Sequence, residues 1–529
     1  MNKLMTLGLA TALAGTLAMP MAGPAKADDP VMGGTLKLAR TSDLRSLDGS
    51  RQDANTDTVL NHLYDPLVAY RADLTVGPVM AKSWEMTDDG KTWTFTLREG
   101  ATYHDGSPVK AADFVWLWER YQTSGERTGT PWLCAPVFDG SGSLKVNAVT
   151  APDDQTLVFE LDAPNPLFLV RLADQICHIM AISPNNVDKD GKWIEGSAIG
   201  SGPFKLKEWK KEQYLALEKF AEYSPVDAPA SGYAGNRTAY VDEVHFVVVP
   251  DANAAETALF AGQLDVVSQL QPDRIEDVKA KGGTVLSAPG LSLTAVLLQT
   301  QDPLLSDVRL RRAIAHAIDL EQLTEIKTAG LTQPNPSGVP LSSAIYGDAF
   351  KVWPAYDLEK SRALLAEAGY NGEEITIEAN KHYVGMYDNA VLLQAMLSAA
   401  GINAKIEVLD WAAQLDNFFS GKFQISSFGY SQRTHPVVIY GMLMGDKELY
   451  PTAQWDDDAA SALYDKIAAE PDADARAKML AELQKMMADQ VPILPLYYAP
   501  VIEIVSPKVK GYSAWSLGQP RAWGVWKTE

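Results

Sequence analysis

The residue types that usually carry catalysis are present in this chain, but they do not assemble. His62, His104, His178, His245, His316, His382 and His435 are scattered, with no pair at the helical spacing of a metal site. His316, inside Arg312-Ala313-Ile314-Ala315-His316, reads as a helix-surface residue. Gly200-Ser201-Gly202-Pro203 is a nucleophile elbow only superficially, because Pro203 suits a chain entering a strand rather than a strained strand-to-helix turn. No Gly-rich loop ends in Lys-Ser or Lys-Thr to cradle phosphate. Asp456, Asp457 and Asp458 fall where a helix begins, and there acids complement the helix dipole. A secreted hydrolase would need a nucleophile or metal set that is not found, so the expectation is a non-enzyme without cofactor or metal.

What the sequence does offer is contact surface. It holds 13 Trp, 20 Tyr and 14 Phe, several beside turn residues rather than inside regular elements. Rigid rings with polar tips suit a cleft that encloses a polar organic molecule, and they suit a packed core as well. The formal charge of -21, from 46 Lys plus Arg against 67 Asp plus Glu, argues against a nucleic-acid partner, which needs clustered cations. At 529 residues the chain is long enough for several structural units with a substantial core.

The N-terminus predicts export. Lys3 precedes an apolar run from Leu4 to about Met19, then Pro20, and Ala25-Lys26-Ala27 forms a small-residue cleavage site before Asp28. The run is shorter than the roughly 20 residues that span a bilayer, so residues 1–27 are expected to be a cleaved signal. No Cys near the site could take a lipid, and the expected product is periplasmic and soluble. Export places Cys134 and Cys177 in an oxidising compartment, where two thiols in one chain are expected to pair; two separately buried thiols are the alternative.

Several elements are legible. Thr35–Ala39 reads as a first strand, Trp84–Leu97 as a hairpin about Asp89-Gly90, and Ala111–Tyr121 as an amphipathic helix carrying Phe114, Trp118 and Tyr121. Val146–Thr150 and Thr156–Leu161 flank the turn at Pro152-Asp153-Asp154. His245–Val249 is a strand, after which Asp251 caps a helix that stops at Gly262, and Asp265–Val267 is extended. From Asp307 helices and strands alternate: Val308–Ile318, Leu358–Glu367, Val391–Ala400 helical; Ile375–Glu378 and Ala404–Leu409 extended. Such alternation predicts an α/β lobe. Two closing strands, Ile493–Tyr497 and Val501–Val505, would rejoin the first unit, which suggests two lobes joined by a crossed hinge.

Set along this frame are Ala81-Lys82-Ser83-Trp84-Glu85, Asp89-Gly90-Lys91-Thr92-Trp93-Thr94-Phe95, His104-Asp105-Gly106, Ala112-Asp113-Phe114-Val115, Leu63-Tyr64-Asp65-Pro66-Leu67-Val68, Gly202-Pro203-Phe204-Lys205-Leu206, Ala261-Gly262-Gln263-Leu264-Asp265, Asp307-Val308-Arg309-Leu310-Arg311 and Pro492-Ile493-Leu494-Pro495-Leu496. This ordered set, spanning nearly the whole mature chain, resembles the family 5 extracellular solute-binding proteins, which serve ABC importers of peptides, nickel chelates, opines and some oligosaccharides. The resemblance implies an α/β clamshell of the periplasmic-binding-protein type, with an extra subdomain on the first lobe. It implies a first lobe of 28–77, 200–297 and 497–529, an extra subdomain of 78–199 and a second lobe of 298–496. It also implies partners: a small-molecule ligand and the permease subunits of an ABC transporter, met by a monomer.

Ligand choice is where this sequence departs from the family pattern. Peptide-binding members read roughly Gly-Trp-x-Ala-Asp-Tyr in the second lobe, with the Asp on the peptide's ammonium. Here the matching stretch is Gly429-Tyr430-Ser431-Gln432-Arg433-Thr434, so Tyr430 stands for the Trp and Arg433 for the Asp. A guanidinium repels an ammonium and matches a carboxylate or phosphate fork. The expected ligand therefore carries an anionic group on an opine-like, sugar-phosphate-like or oligosaccharide-like body, with a dipeptide or oligopeptide as the alternative. Arg433 is the expected anion clamp, Trp411 and Tyr430 the stacking walls, and Ser431 a hydrogen-bond donor. Tyr383 and Tyr387 are expected contacts from the loop before the helix that begins near Val391.

Overall fold

The computed structural model describes residues 29–50, 53–142, 144–383 and 385–528; the expected signal, residues 1–27, lies outside them. Among the described residues no helix is long and apolar enough to cross a membrane.

Two long strands organise the molecule. Thr284–Leu298 and Ile493–Val505 run antiparallel through both lobes, pairing from Thr284 with Val505 to Leu297 with Ile493. Their register shifts between Ala288 and Ser292, where Pro289-Gly290 faces Ala499-Pro500. Gly290 is required by the close approach: a Cβ there would stand 1.9 Å from the carbonyl oxygen of Ala499. Where two closing strands were expected there is one continuous strand, because Pro500 falls at this irregularity and withdraws no ladder donor from either regular half.

On one side of the crossing the sheet continues through Val266–Ser268, Thr35–Arg40, Glu243–Val248, Tyr214–Lys219 and Phe204–Lys210, with Thr35–Arg40 parallel to Glu243–Val248. On the other side it continues through Ile425–Tyr430, Ile375–Ala379 and Ala404–Val408. The ten strands thus form one sheet shared by two lobes. In the second lobe the strand Thr284–Leu298 is buried on both faces. Val296 and Leu298 join the core under the helices Val308–Ala317 and Met386–Ala400; Leu293, Ala295 and Leu297 join the core with Tyr440, Trp455 and Leu483.

The first lobe carries a four-stranded antiparallel sheet in the order Ala81–Met86, Thr92–Leu97, Thr156–Leu161, Val146–Thr150. The Asp89-Gly90 hairpin lies in it, Gly90 taking φ +69° in the turn. Helix Ala111–Gln122 packs Trp118 edge-on against Trp132, Phe138 and Phe159. This core is continuous with that of the first lobe. Cys134 and Cys177 are bonded, with Cα atoms 5.4 Å apart. A buried ion triad fastens the extra subdomain to the lobe: Asp65 receives Arg98 at 2.6 Å and Arg237 at 3.3 Å, and neither it nor Arg237 is exposed at all.

Asp251 and Asp457 cap their helices, accepting from the amides of Ala254 and Ala460. Two local readings change. His316 is buried rather than on a helix surface, because helices Leu358–Ala368, Met386–Ala400 and Ala473–Gln490 pack against its helix, and its Nδ1 lies 2.6 Å from the carbonyl oxygen of Ala355. The helix expected from Val391 begins at Met386: Gly385, at φ +89°, turns the chain into it, and Met386, Asn389, Ala390 and Leu393 share its inward face. Tyr387 is therefore a helix residue and not a loop residue.

Candidate ligand-binding cleft

Of the expected site residues, Tyr430, Ser431 and Arg433 belong to the stretch of the second lobe that meets the first. Strand Ile425–Tyr430 points at the crossing and delivers the segment Ser431–His435, after which Pro436 starts the helix Pro436–Leu443. The amide of Arg433 donates to the carbonyl of Leu291, next to the crossing, at 3.4 Å.

Three of the expected residues are joined by rings. Trp411 opens the helix Trp411–Ser420, fixed by Asp410, whose carboxylate accepts from the amide of Ala413. Its ring meets Tyr383 edge-on at 4.8 Å and Phe428 at 5.7 Å, and Phe428 in turn meets Tyr430 at 5.2 Å. Tyr383 is held by a turn in which Asn380 accepts from the amides of His382 and Tyr383. Tyr430 is buried, its hydroxyl has no hydrogen-bond partner among the described residues, and burial pushes its titration upward. Phe428 links Trp411 to Tyr430 and was not expected from the sequence. Tyr387 instead lies with its ring under the ammonium of Lys381, 4.5 Å from the centroid.

Arg433 and Ser431 are bonded to each other. Arg433 Nη1 donates to Ser431 Oγ and to the carbonyl of Gln432, both at 2.8 Å. Ser431 Oγ thus accepts from Arg433, and among the described residues its own proton makes no hydrogen bond, as the expected donation to a ligand requires. Among the described residues Arg433 makes no ion pair, and Nη2 and Nε make no hydrogen bond, so half of the guanidinium fork is unengaged.

First-lobe partners close over this segment. Thr434 Oγ1 donates to Tyr70 Oη at 3.1 Å, Tyr70 donates to the carbonyl of Val170 at 2.9 Å, and Gln432 Nε2 approaches the carbonyl of Leu517 at 3.5 Å. Asp174 faces the same region. Burial raises its pKa, opposed by the amide of Ile176 and the positive charges of Arg171 and Arg433. Behind it Asp57 is fully buried with neither carboxylate oxygen hydrogen-bonded; burial and the neighbouring charges of Asp53 and Asp174 raise its pKa well above the carboxylate range. None of Tyr70, Asp174 or Asp57 was marked by sequence reasoning. A groove of about 240 Å3 flanks the segment between Leu167 and Arg171 of the first lobe's subdomain and Val437 and Tyr464 of the second lobe.

Two lobes on one shared sheet, with aromatic walls and an underused cation where they meet, define a two-lobed solute-binding protein. The family model of the bacterial extracellular solute-binding proteins, family 5, matches residues 75–447, and the chain belongs to that family. It is 27% identical to the dipeptide-binding protein of Escherichia coli (strain K12) over 482 residues, 86% of this chain and 87% of that one. Among solved structures it is similar to the periplasmic binding protein DppA of Helicobacter pylori in complex with the peptide STSA, at 26% identity and a TM-score of 0.69, covering 94% of this chain and 99% of that one. It shares the fold of AgaA from A. tumefacien R10 in complex with agropinic acid, at 24% identity and a TM-score of 0.66, covering 94% and 99%.

Proposed function

We propose that the protein is the periplasmic binding component of an ABC importer, capturing a small polar organic ligand through an anionic group and handing it unchanged to the permease. The observation that carries the ligand class is Arg433: it stands where the peptide-binding pattern of the family has an acid, and among the described residues it has no ion-pair partner and half its fork is open. Trp411 and Tyr430 wall the ligand, with Tyr383 at the rim and Ser431 orienting Arg433. An opine-like or sugar-phosphate-like body fits this chemistry. The protein acts as a monomer, without cofactor or catalysis, after cleavage of residues 1–27. The lobe boundaries given above, set by resemblance, belong to this proposal.

A peptide is the second reading, and specific observations favour it: the relatives named for dipeptides and solved with a peptide, and the half-buried carboxyl of Asp174, which feels the charge of Arg433. A short peptide would offer its carboxylate to Arg433. Mass spectrometry of small molecules released on denaturation identifies the class directly. Calorimetry with the released ligand then tests the clamp: Arg433→Ala removes charge-assisted hydrogen bonds of about 1.5–3 kcal/mol, weakening binding by roughly one to two decades. A ligand that binds Arg433→Asp as tightly as the parent overturns the anion reading.

A further inference from the structure

A second concavity lies far from the cleft. The strand Thr284–Leu298 runs away from the crossing, and Gln299 and Asp302 follow its last residue. Gln424 precedes the strand that ends at Tyr430, so the pocket and the cleft are separated by that strand's length, roughly 20 Å. Here a pocket of about 480 Å3 is lined by Gln299, Asp302, Thr376, Glu378, Glu407 and Phe423 among others. Three carboxylates line it, against the single cation Lys422.

The acids are not equivalent. Asp302 is satisfied by its own loop, accepting from the amides of Leu304 and Leu305 and from Gln424 Nε2. Glu378 is 5% exposed and uses only one oxygen: Oε1 accepts from Asn417 Nδ2 at 2.7 Å, and Oε2 is buried with no partner. Glu407 is its register partner on the neighbouring edge strand. Among the described residues neither Glu378 nor Glu407 makes an ion pair, although Lys422 lines the same pocket. Lys405, on the same strand as Glu407, is 3.4 Å from Glu374, and the buried Lys447 gives its ammonium to Gln299 Oε1 at 3.0 Å. Burial, with the charge of Glu407 added, holds Glu378 up to about 7.

A buried carboxyl in this position has two ways out. Protonation gives it an O–H that needs an acceptor, and Oε2 has no hydrogen-bond partner among the described residues. A cation with N–H donors satisfies both the charge and the open oxygen. A bare metal ion does not fit, because among the described residues no three His, Cys, Asp or Glu converge to hold one. We propose that this pocket is a second ligand site, separate from the cleft, for a small primary ammonium compound gripped by Glu378, with Glu407 and Asp302 supplying the attracting field.

The test is calorimetry of the signal-free protein with 1,4-diaminobutane at pH 8 and low salt, paired with hydrogen-exchange mass spectrometry. Saturable binding is expected, with exchange slowed in 375–379 and 417–424 and not in 430–435. Glu378→Gln should weaken it at least tenfold. Thr376→Trp, which fills the pocket and leaves Glu378 in place, should block it as well and decides the matter if Glu378→Gln does not fold. Absence of saturable binding, equal binding to the folded Glu378→Gln or to Thr376→Trp, or protection centred on 430–435 overturns the site.

Discussion

Thr434 of the second lobe donates its hydroxyl proton to Tyr70 Oη of the first, 3.1 Å away, and Tyr70 passes its own proton to the carbonyl of Val170. This short chain ties the segment that carries Arg433 to the first lobe, so the ligand segment and the closure contact are one piece of backbone. Thr434→Val cuts only the link between lobes. One neutral hydrogen bond is worth about 1 kcal/mol, so the closed-to-open ratio of the ligand-free protein should fall roughly fivefold. Small-angle scattering should show a larger radius for Thr434→Val without ligand; an unchanged radius would dismiss this contact as a closure element.

Gly290→Ala should damage the crossing. Its Cβ would press on the Ala499 carbonyl at 1.9 Å, and backbone on both strands is held by ladder hydrogen bonds. Relief by overpacking-type shifts costs about 1–3 kcal/mol. Chemical denaturation measures the loss, and a variant as stable as the parent would mean that the two strands part freely at this point.

Asp65→Ala should be more costly. It leaves Arg98 and Arg237 buried without their counter-charge, a change that typically costs about 3–5 kcal/mol. Thermal unfolding with limited proteolysis checks it: the expected result is earlier cleavage between the extra subdomain and the first lobe. Retained stability would show that water reaches the triad.

The buried histidines should make the protein sensitive to acid. Burial lowers His62 and His178 to about 3 and His104 to about 4. His104 bridges two backbone groups, its ring nitrogens meeting the amide of Gly200 and the carbonyl of Gly202. The unfolded chain protonates these rings near 6.5 and the folded one does not, so the unfolded state binds more protons below that value. Stability is therefore full above pH 6.5 and declines as pH falls from there toward 4 and 3. Asp57 and Glu378, held up in the folded state, pull the other way as pH falls, so the check is a difference: between pH 7.5 and 4.5 the denaturant midpoint should fall further for the parent than for His104→Gln, and equal slopes contradict the buried neutral ring.

What was legible in the sequence was local. The Asp89-Gly90 hairpin, with its alternation of Thr92, Thr94 and Thr96 against Trp93, Phe95 and Leu97, and the caps at Asp251 and Asp457 carry their signals within a few residues. The strand Thr284–Leu298 carries no such signal. Pro289-Gly290 breaks its pattern, and its two halves serve different lobes. His316 and Tyr387 were misplaced for related reasons. One is buried by helices that arrive from elsewhere in the chain, and the other was assigned to a loop because the helix start rests on the conformation of Gly385. In the site, Arg433 was legible only through the family's segment. Tyr70 and Asp174 come from the other lobe, and no spacing within the chain relates them to it.

The shared sheet also sets the order in which the molecule can be built. Thr284–Leu298 finds its principal partner only in Ile493–Val505, roughly 200 residues later. Until that segment is available, each lobe lacks a central strand and leaves the edge of its neighbour unpaired. A chain emerging from a ribosome or threading through a membrane channel therefore stays open-ended until nearly all of it has passed. The same two strands that couple the lobes delay their completion.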